Sequence, residues 1–176
     1  NGLIPKRGPK YEVELHSWEQ AVKNRGGNGM WVVIRSYTNA GNFFTITTNS
    51  RFSHATLLDA ENGTVVESVI AGTVESPLSK LIHHSHRLVL VKPNGWTPES
   101  GDAALARART HLGKPFDYCG LIGFPDPEKW YCSELAMDAW QQPTDRAGPW
   151  NVIHPQRLLK LGTVIYDTGV RDGKPD

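Results

Sequence analysis

The sequence predicts an α+β domain in which an antiparallel sheet packs against a helix that begins at a cysteine, and three stretches carry that prediction. Asn62-Gly63 separates two β-rich runs, 51–59 and 64–70, which is the strongest short-range signal for a hairpin. Met30-Trp31-Val32-Val33-Ile34-Arg35 is a near-continuous apolar run, suited to a strand covered on both faces. Leu135, Ala136, Ala139 and Trp140 fall at i, i+1, i+4 and i+5, so the segment that starts at Cys132 has one apolar helical side.

Size and charge narrow the function classes. A chain of 176 residues, 39% hydrophobic and 21% charged, fits one globular domain with its own core. The expected organisation is an extension over 1–29, a main domain over 30–170 and a flexible tail over 171–176. A net charge of +1 with interspersed signs and no basic run argues against a nucleic-acid partner. No stretch approaches the roughly 18–20 apolar residues of an integral membrane segment, and the first residues show no apolar signal core. The two cysteines, Cys119 and Cys132, are too few for a disulfide framework and match no zinc spacing, so both read as free thiols.

Taken in order, residues 1–10 hold Pro5, Gly8, Pro9 and several basic side chains and read as a loose arm. Tyr11-Glu12-Val13-Glu14-Leu15 alternates like a strand, and Ser17 is placed to cap a short helix over 18–23. The threonine-rich 40–50 segment reads as helix or folded loop and carries no chemical motif. Residues 77–82 suggest a short helix and 87–92 a strand. His83, His84 and His86 invite a metal reading, but neighbouring imidazoles point apart and no acidic or cysteine ligand clusters with them, so a solvated loop is expected and no metal or other cofactor. Thr97 caps and Pro98 opens a helix running to about Leu112, burying Leu105, Ala108 and Leu112 before Gly113. Residues 141–151 read as a loop, Pro155 opens a short helix, and 163–168 give a last strand.

The chemistry points to a thiol. A cysteine at a helix N-terminus faces unpaired N–H groups and the positive end of the macrodipole, which favour the thiolate, and the same amides suit an oxyanion. Cys132 also reads as a small buried hydrophobe, and a partner histidine is what separates the two readings. A two-residue turn at Asn62-Gly63 sets Leu58 against Glu67 and puts His54, Thr56 and Leu58 on one face with Val65, Glu67 and Val69. His54 and Glu67 then lie roughly 13 Å apart along the strand. A wider loop, a bulge or strong twist is needed to bring them together.

Five segments follow one another in a telling order: Phe52-Ser53-His54, Val65-Val66-Glu67-Ser68, residues 112–118, Tyr131-Cys132-Ser133-Glu134-Leu135 and His154-Pro155-Gln156. Over about 30–167 this order resembles the YaeF/YiiX-type permuted papain-like amidases. These are relatives of the NlpC-type cell-wall peptidases and of lecithin:retinol acyltransferase. The resemblance implies a circularly permuted papain-like fold over 30–170 and a thiol amidase or peptidase. It implies Cys132 as nucleophile, His54 as general base and Glu67 as the group orienting the histidine. Tyr131 and Ser53 are the expected substrate-binding residues, with a packing role open for Tyr131. The implied substrate is a peptide or a peptidoglycan fragment, which favours the cell envelope or the outside of the cell, and a regulatory or inhibitor protein is an open possibility. The alternatives are acyl transfer or hydrolysis on a lipid or thioester, and a binding module without turnover. Many relatives carry an aspartate where this chain has Met30 and an alanine where it has Ser68. The expected position of Glu134 on the helix points away from Cys132, and Cys119 reads as structural.

Overall fold

Among the described residues, six strands and five α-helices are laid down in the order α1 (Pro9–Arg25), β1 (Trp31–Ser36), β2 (His54–Asp59), β3 (Thr64–Val69), β4 (Gly72–Pro77), α2 (Leu78–His83), β5 (Ser85–Pro93), α3 (Pro98–Arg109), α4 (Cys132–Ala139), α5 (Pro155–Leu158) and β6 (Gly162–Asp167), with a 3-10 turn at Gly120–Ile122 before α4. The structure, a computed structural model, describes residues 9–36, 51–122, 124, 126–142 and 152–169. The 40–50 segment, most of the 141–151 loop and the 171–176 tail lie outside the described residues. The strands form one antiparallel sheet in the order β4-β3-β2-β1-β5-β6.

β1 is central because its side chains are apolar in both directions. Trp31 and Val33 face one core with Ala55, Leu57 and Val66, covered by α3, α4 and α5. Met30, Val32 and Ile34 face the other with Leu58 and Val65, covered by α1 and α2. Met30 is buried in this second core. Trp31 also donates its indole N–H to the Ala136 carbonyl at 3.0 Å, and Trp140 donates to the Gly29 carbonyl at 2.8 Å. These bonds tie α4 to the middle of the sheet.

Residues 9–25 form one helix, not a strand followed by a short helix, while residues 1–8 of the expected arm lie outside the described residues. Leu15, Trp18 and Val22 are buried at i, i+3 and i+7, while Val13 is exposed, so the demand of the second core for cover overrides the local alternation of 11–15. α3 begins with the expected cap but stops at Arg109, and Leu112 lies exposed in the turn beyond it rather than buried. His83 and His84 turn their Nδ1 atoms onto the carbonyls of Ser79 and Lys80, each at 2.8 Å, finishing α2, and His86 is buried in β5.

The hairpin forms, but around four residues rather than two. The pairs are Asp59↔Thr64, Leu58↔Val65 and Leu57↔Val66, which leaves 60–63 as the turn. Asp59 is the cause: its carboxylate accepts the Asn62 backbone N–H at 2.9 Å and the Asn62 side-chain amide at 2.8 Å. Gly63, at φ 66°, brings its N–H back to the Asp59 carbonyl at 3.0 Å. Arg109 of α3 pairs with both Asp59 and Glu75 and anchors this end of the hairpin.

Candidate active site

The four-residue turn moves β3 two positions along β2, so Leu58 faces Val65 and the Glu67 level moves toward His54. Past Leu57↔Val66 the two strands part. The His54 end of β2 stays paired with Ile34 of β1, and β3 stays paired with β4 as far as Val69↔Gly72. The start of α4 sits at this fork. Ser68, on the β3 prong, donates its hydroxyl to the Trp130 carbonyl at 2.6 Å, and the Ala55 N–H on the β2 prong bonds the Cys132 sulfur. Ser68 thereby holds the backbone two residues before Cys132. Asp117 and Pro115 hold the other side of that segment, with Asp117 N–H on the Trp130 carbonyl and Trp130 N–H on the Pro115 carbonyl.

The structure brings Cys132, His54 and Glu67 together. His54 Nε2 lies 2.6 Å from Glu67 Oε2. A carboxylate only accepts, so Nε2 carries the hydrogen and Nδ1 is the nitrogen left for the Cys132 thiol, with which the His54 ring also hydrogen-bonds. Burial alone would push the His54 pKa down. The hydrogen bonds and charges of Cys132 and Glu67 outweigh it and carry the imidazole up to about 10. Burial would raise the Cys132 pKa, but the His54 hydrogen bond and charge, with the N–H groups of Ala55 and Ser133, bring it below the ordinary thiol range. Burial likewise opposes ionisation of Glu67, and His54, the Ser76 hydroxyl and the Lys80 ammonium hold its carboxyl below the ordinary range. Together these directions favour a thiolate–imidazolium pair backed by a carboxylate.

Tyr131 and Ser53 lie in the walls of the site. Tyr131 is 2% exposed and its hydroxyl accepts the Ile153 N–H at 2.9 Å. Ser53 is 7% exposed, and its hydroxyl accepts the Ser36 N–H at 2.8 Å. Both hydroxyls are engaged inside the protein, on the backbone N–H groups of Ile153 and Ser36. Ser133 completes the arrangement, because its hydroxyl donates to the Ile153 carbonyl, so the two neighbours of Cys132 clamp both polar groups of one backbone unit. Glu134 is fully buried and reaches back to the Tyr131 N–H as the helix cap. Its pattern position suggested a charge turned away from the nucleophile; tertiary packing encloses the whole first turn. Cys119 is exposed. Among the described residues no group of three or more His, Cys, Asp or Glu side chains is arranged to hold a metal.

Residues 31–158 match the family described as permuted papain-like amidase enzymes of the YaeF/YiiX type. A similar solved structure is that of YiiX from Escherichia coli O157:H7, a protein described as a metalloprotein, with a TM-score of 0.57 and 21% identity over 86% of this chain and 94% of that one. The likeness extends the shared α+β fold beyond the matched segment. No curated protein matches the chain.

Proposed function

The chain belongs to the permuted papain-like amidases of the YaeF/YiiX type, and from that premise we propose that it hydrolyses an amide bond through Cys132, His54 and Glu67 by way of an acyl-enzyme. The observation that carries this reading is that one ring, His54, bonds both the Glu67 carboxylate, through Nε2, and the Cys132 thiol. The Cys132 thiolate attacks the substrate carbonyl carbon, and the electron pair of the C=O moves to oxygen. The Cys132 N–H is among the first N–H groups of α4, which have no acceptor one turn earlier, and it stabilises that oxyanion. His54 gives its proton to the leaving nitrogen, the C–N bond breaks and a thioester remains. Water then attacks the thioester while His54 takes its proton, and the carboxylate product leaves the thiolate restored. Glu67 keeps the ring turned and favours its charged form. Tyr131 and Ser53 act by holding the backbone on either side of the cleft.

The sign of the pH dependence follows from these directions. The Cys132 pKa is lowered, so hydrolysis rises with pH on a limb below the ordinary thiol range. The His54 pKa is raised to about 10, so the imidazolium survives until that pH and hydrolysis falls beyond it. A kcat/KM profile with a plateau ending near 10 is the expected result; a single limb centred in the ordinary imidazole range would contradict it.

A peptide amide is the proposed substrate class, and a peptidoglycan stem peptide is the first to test, since the family is one of amidases and the chain's near-neutral, mixed charge suits a mixed-charge peptide. Incubation with purified muropeptides is expected to release new amines. Turnover of phospholipids or thioesters in parallel, without amine release from any peptide, would overturn the amide reading.

A further inference from the structure

Glu67 has no reason of its own to stay charged. It is 7% exposed, and a carboxylate so enclosed favours the neutral form unless other groups bind its charge. His54 supplies one partner from β2. β4 supplies another through its register. Glu67 faces Val74 and Val65 faces Ser76, so Ser76 lies diagonally across from Glu67 on the same face, within reach of a long side chain. Ser76 is itself buried, and its hydroxyl bonds the Glu67 carboxylate. Pro77 then ends the strand and α2 begins at Leu78, so Lys80 follows Ser76 by four residues on the short helix that leaves β4, and its positive charge favours the ionised Glu67 carboxyl. Glu75, between Val74 and Ser76, alternates to the opposite face and is taken up by Arg109 at 2.7 Å and Thr64 at 2.6 Å. The charged groups that act on Glu67 are thus His54 of β2, in direct contact, and Lys80 of α2, through its charge, with Cys132 of α4 bonded to the His54 ring.

We propose that Ser76 and Lys80 are positioning residues for the nucleophile: they hold the Glu67 carboxylate charged and turned onto His54, and through His54 they keep Cys132 reactive. The proposal rests on the thiol-hydrolase reading above and adds two residues to it. Neither touches the substrate; their effect reaches the sulfur through Glu67 and His54. An uncharged Glu67 would leave the imidazolium without its counter-ion and return the thiol toward its ordinary behaviour.

The test is the pH profile of iodoacetamide alkylation at Cys132 in the full chain, read by peptide mass spectrometry against Cys119 in the same sample. Ser76→Val and Ser76→Thr have nearly the same shape and differ by the hydroxyl; Lys80→Met and Lys80→Arg differ by the charge. Ser76→Val and Lys80→Met are expected to move the acid limb of the Cys132 profile upward and to slow labelling at neutral pH by about tenfold, one pKa unit's worth of thiolate. Ser76→Thr and Lys80→Arg are expected to stay within about twofold of wild type, since each retains the hydrogen bond or charge that Glu67 accepts. Equal slowing in Val and Thr, or in Met and Arg, would mean that shape alone matters and would overturn the proposal, as would superimposable profiles. Should Ser76→Val fail to melt cooperatively, the Lys80 pair decides alone, because Lys80 is exposed. A wild-type Cys132 slower than Cys119 fails differently: it removes the hydrolase reading, whereas wild-type speed with insensitive variants removes only Ser76 and Lys80.

Discussion

Cys132→Ala is expected to lower kcat/KM for amide hydrolysis by about 10⁴-fold or more, measured as amine release, with the melting temperature within about 4 °C of wild type. The size of the loss follows from the sulfur's part in the proposed mechanism. There it forms and breaks the covalent bond, and among the described residues no other side chain at the fork offers a nucleophile backed by both an imidazole and helix N–H groups. What survives comes from binding and from the oxyanion donor, which stay in place. The fold is little affected because the substitution removes one small buried atom from a turn held by Tyr131, Ser133 and Glu134. Activity retained within tenfold would remove Cys132 from the mechanism.

The second large effect is expected at the histidine. His54→Ala is expected to cost about 10³-fold in kcat/KM, within the range of a lost general acid–base group combined with a less ionised thiol. Its acid limb should move up into the ordinary thiol range, because the largest influence lowering the Cys132 pKa is the His54 hydrogen bond. Glu67→Gln keeps the shape and an acceptor oxygen but removes the charge. It is expected to lose about 10–100-fold, with the alkaline fall moving below 10, since the Glu67 hydrogen bond and charge contribute to the raised His54 value. A His54→Ala protein with an unchanged acid limb would disconnect the histidine from the thiol.

These residues were legible to different degrees, and the reasons are physical. The central strand, the cysteine helix and the existence of the hairpin follow from local periodicity, and each forms where the pattern lies. The hairpin's length does not, because it is decided by the Asp59 carboxylate taking two Asn62 donors, a side-chain capture that Asn-Gly alone does not announce. That one turn decides whether Glu67 can meet His54, so the weakest part of the pattern controls the chemistry. The long first helix was misread because Tyr11-Glu12-Val13-Glu14-Leu15 satisfies a strand period locally while Leu15, Trp18 and Val22 satisfy a helix period over a longer span. Glu134 was expected to turn its charge away from Cys132, and Tyr131 and Ser53 to meet the substrate; all three are buried, because the fork closes around the start of α4. Ser68 stood out only as a departure from the family pattern, and Ser76 and Lys80 gave no signal. A lone serine in a strand and a lysine in a short helix acquire meaning only from the register that sets them beside Trp130 and Glu67.

The most direct measurement of the central claim sets the two cysteines against each other. Cys119 is exposed and Cys132 is buried, so access alone favours Cys119, whereas ionisation by His54 and the helix start favours Cys132. With limiting iodoacetamide at neutral pH and the modified peptides quantified by mass spectrometry, the account predicts that Cys132 is labelled well before Cys119; equal labelling, or Cys119 first, would contradict it.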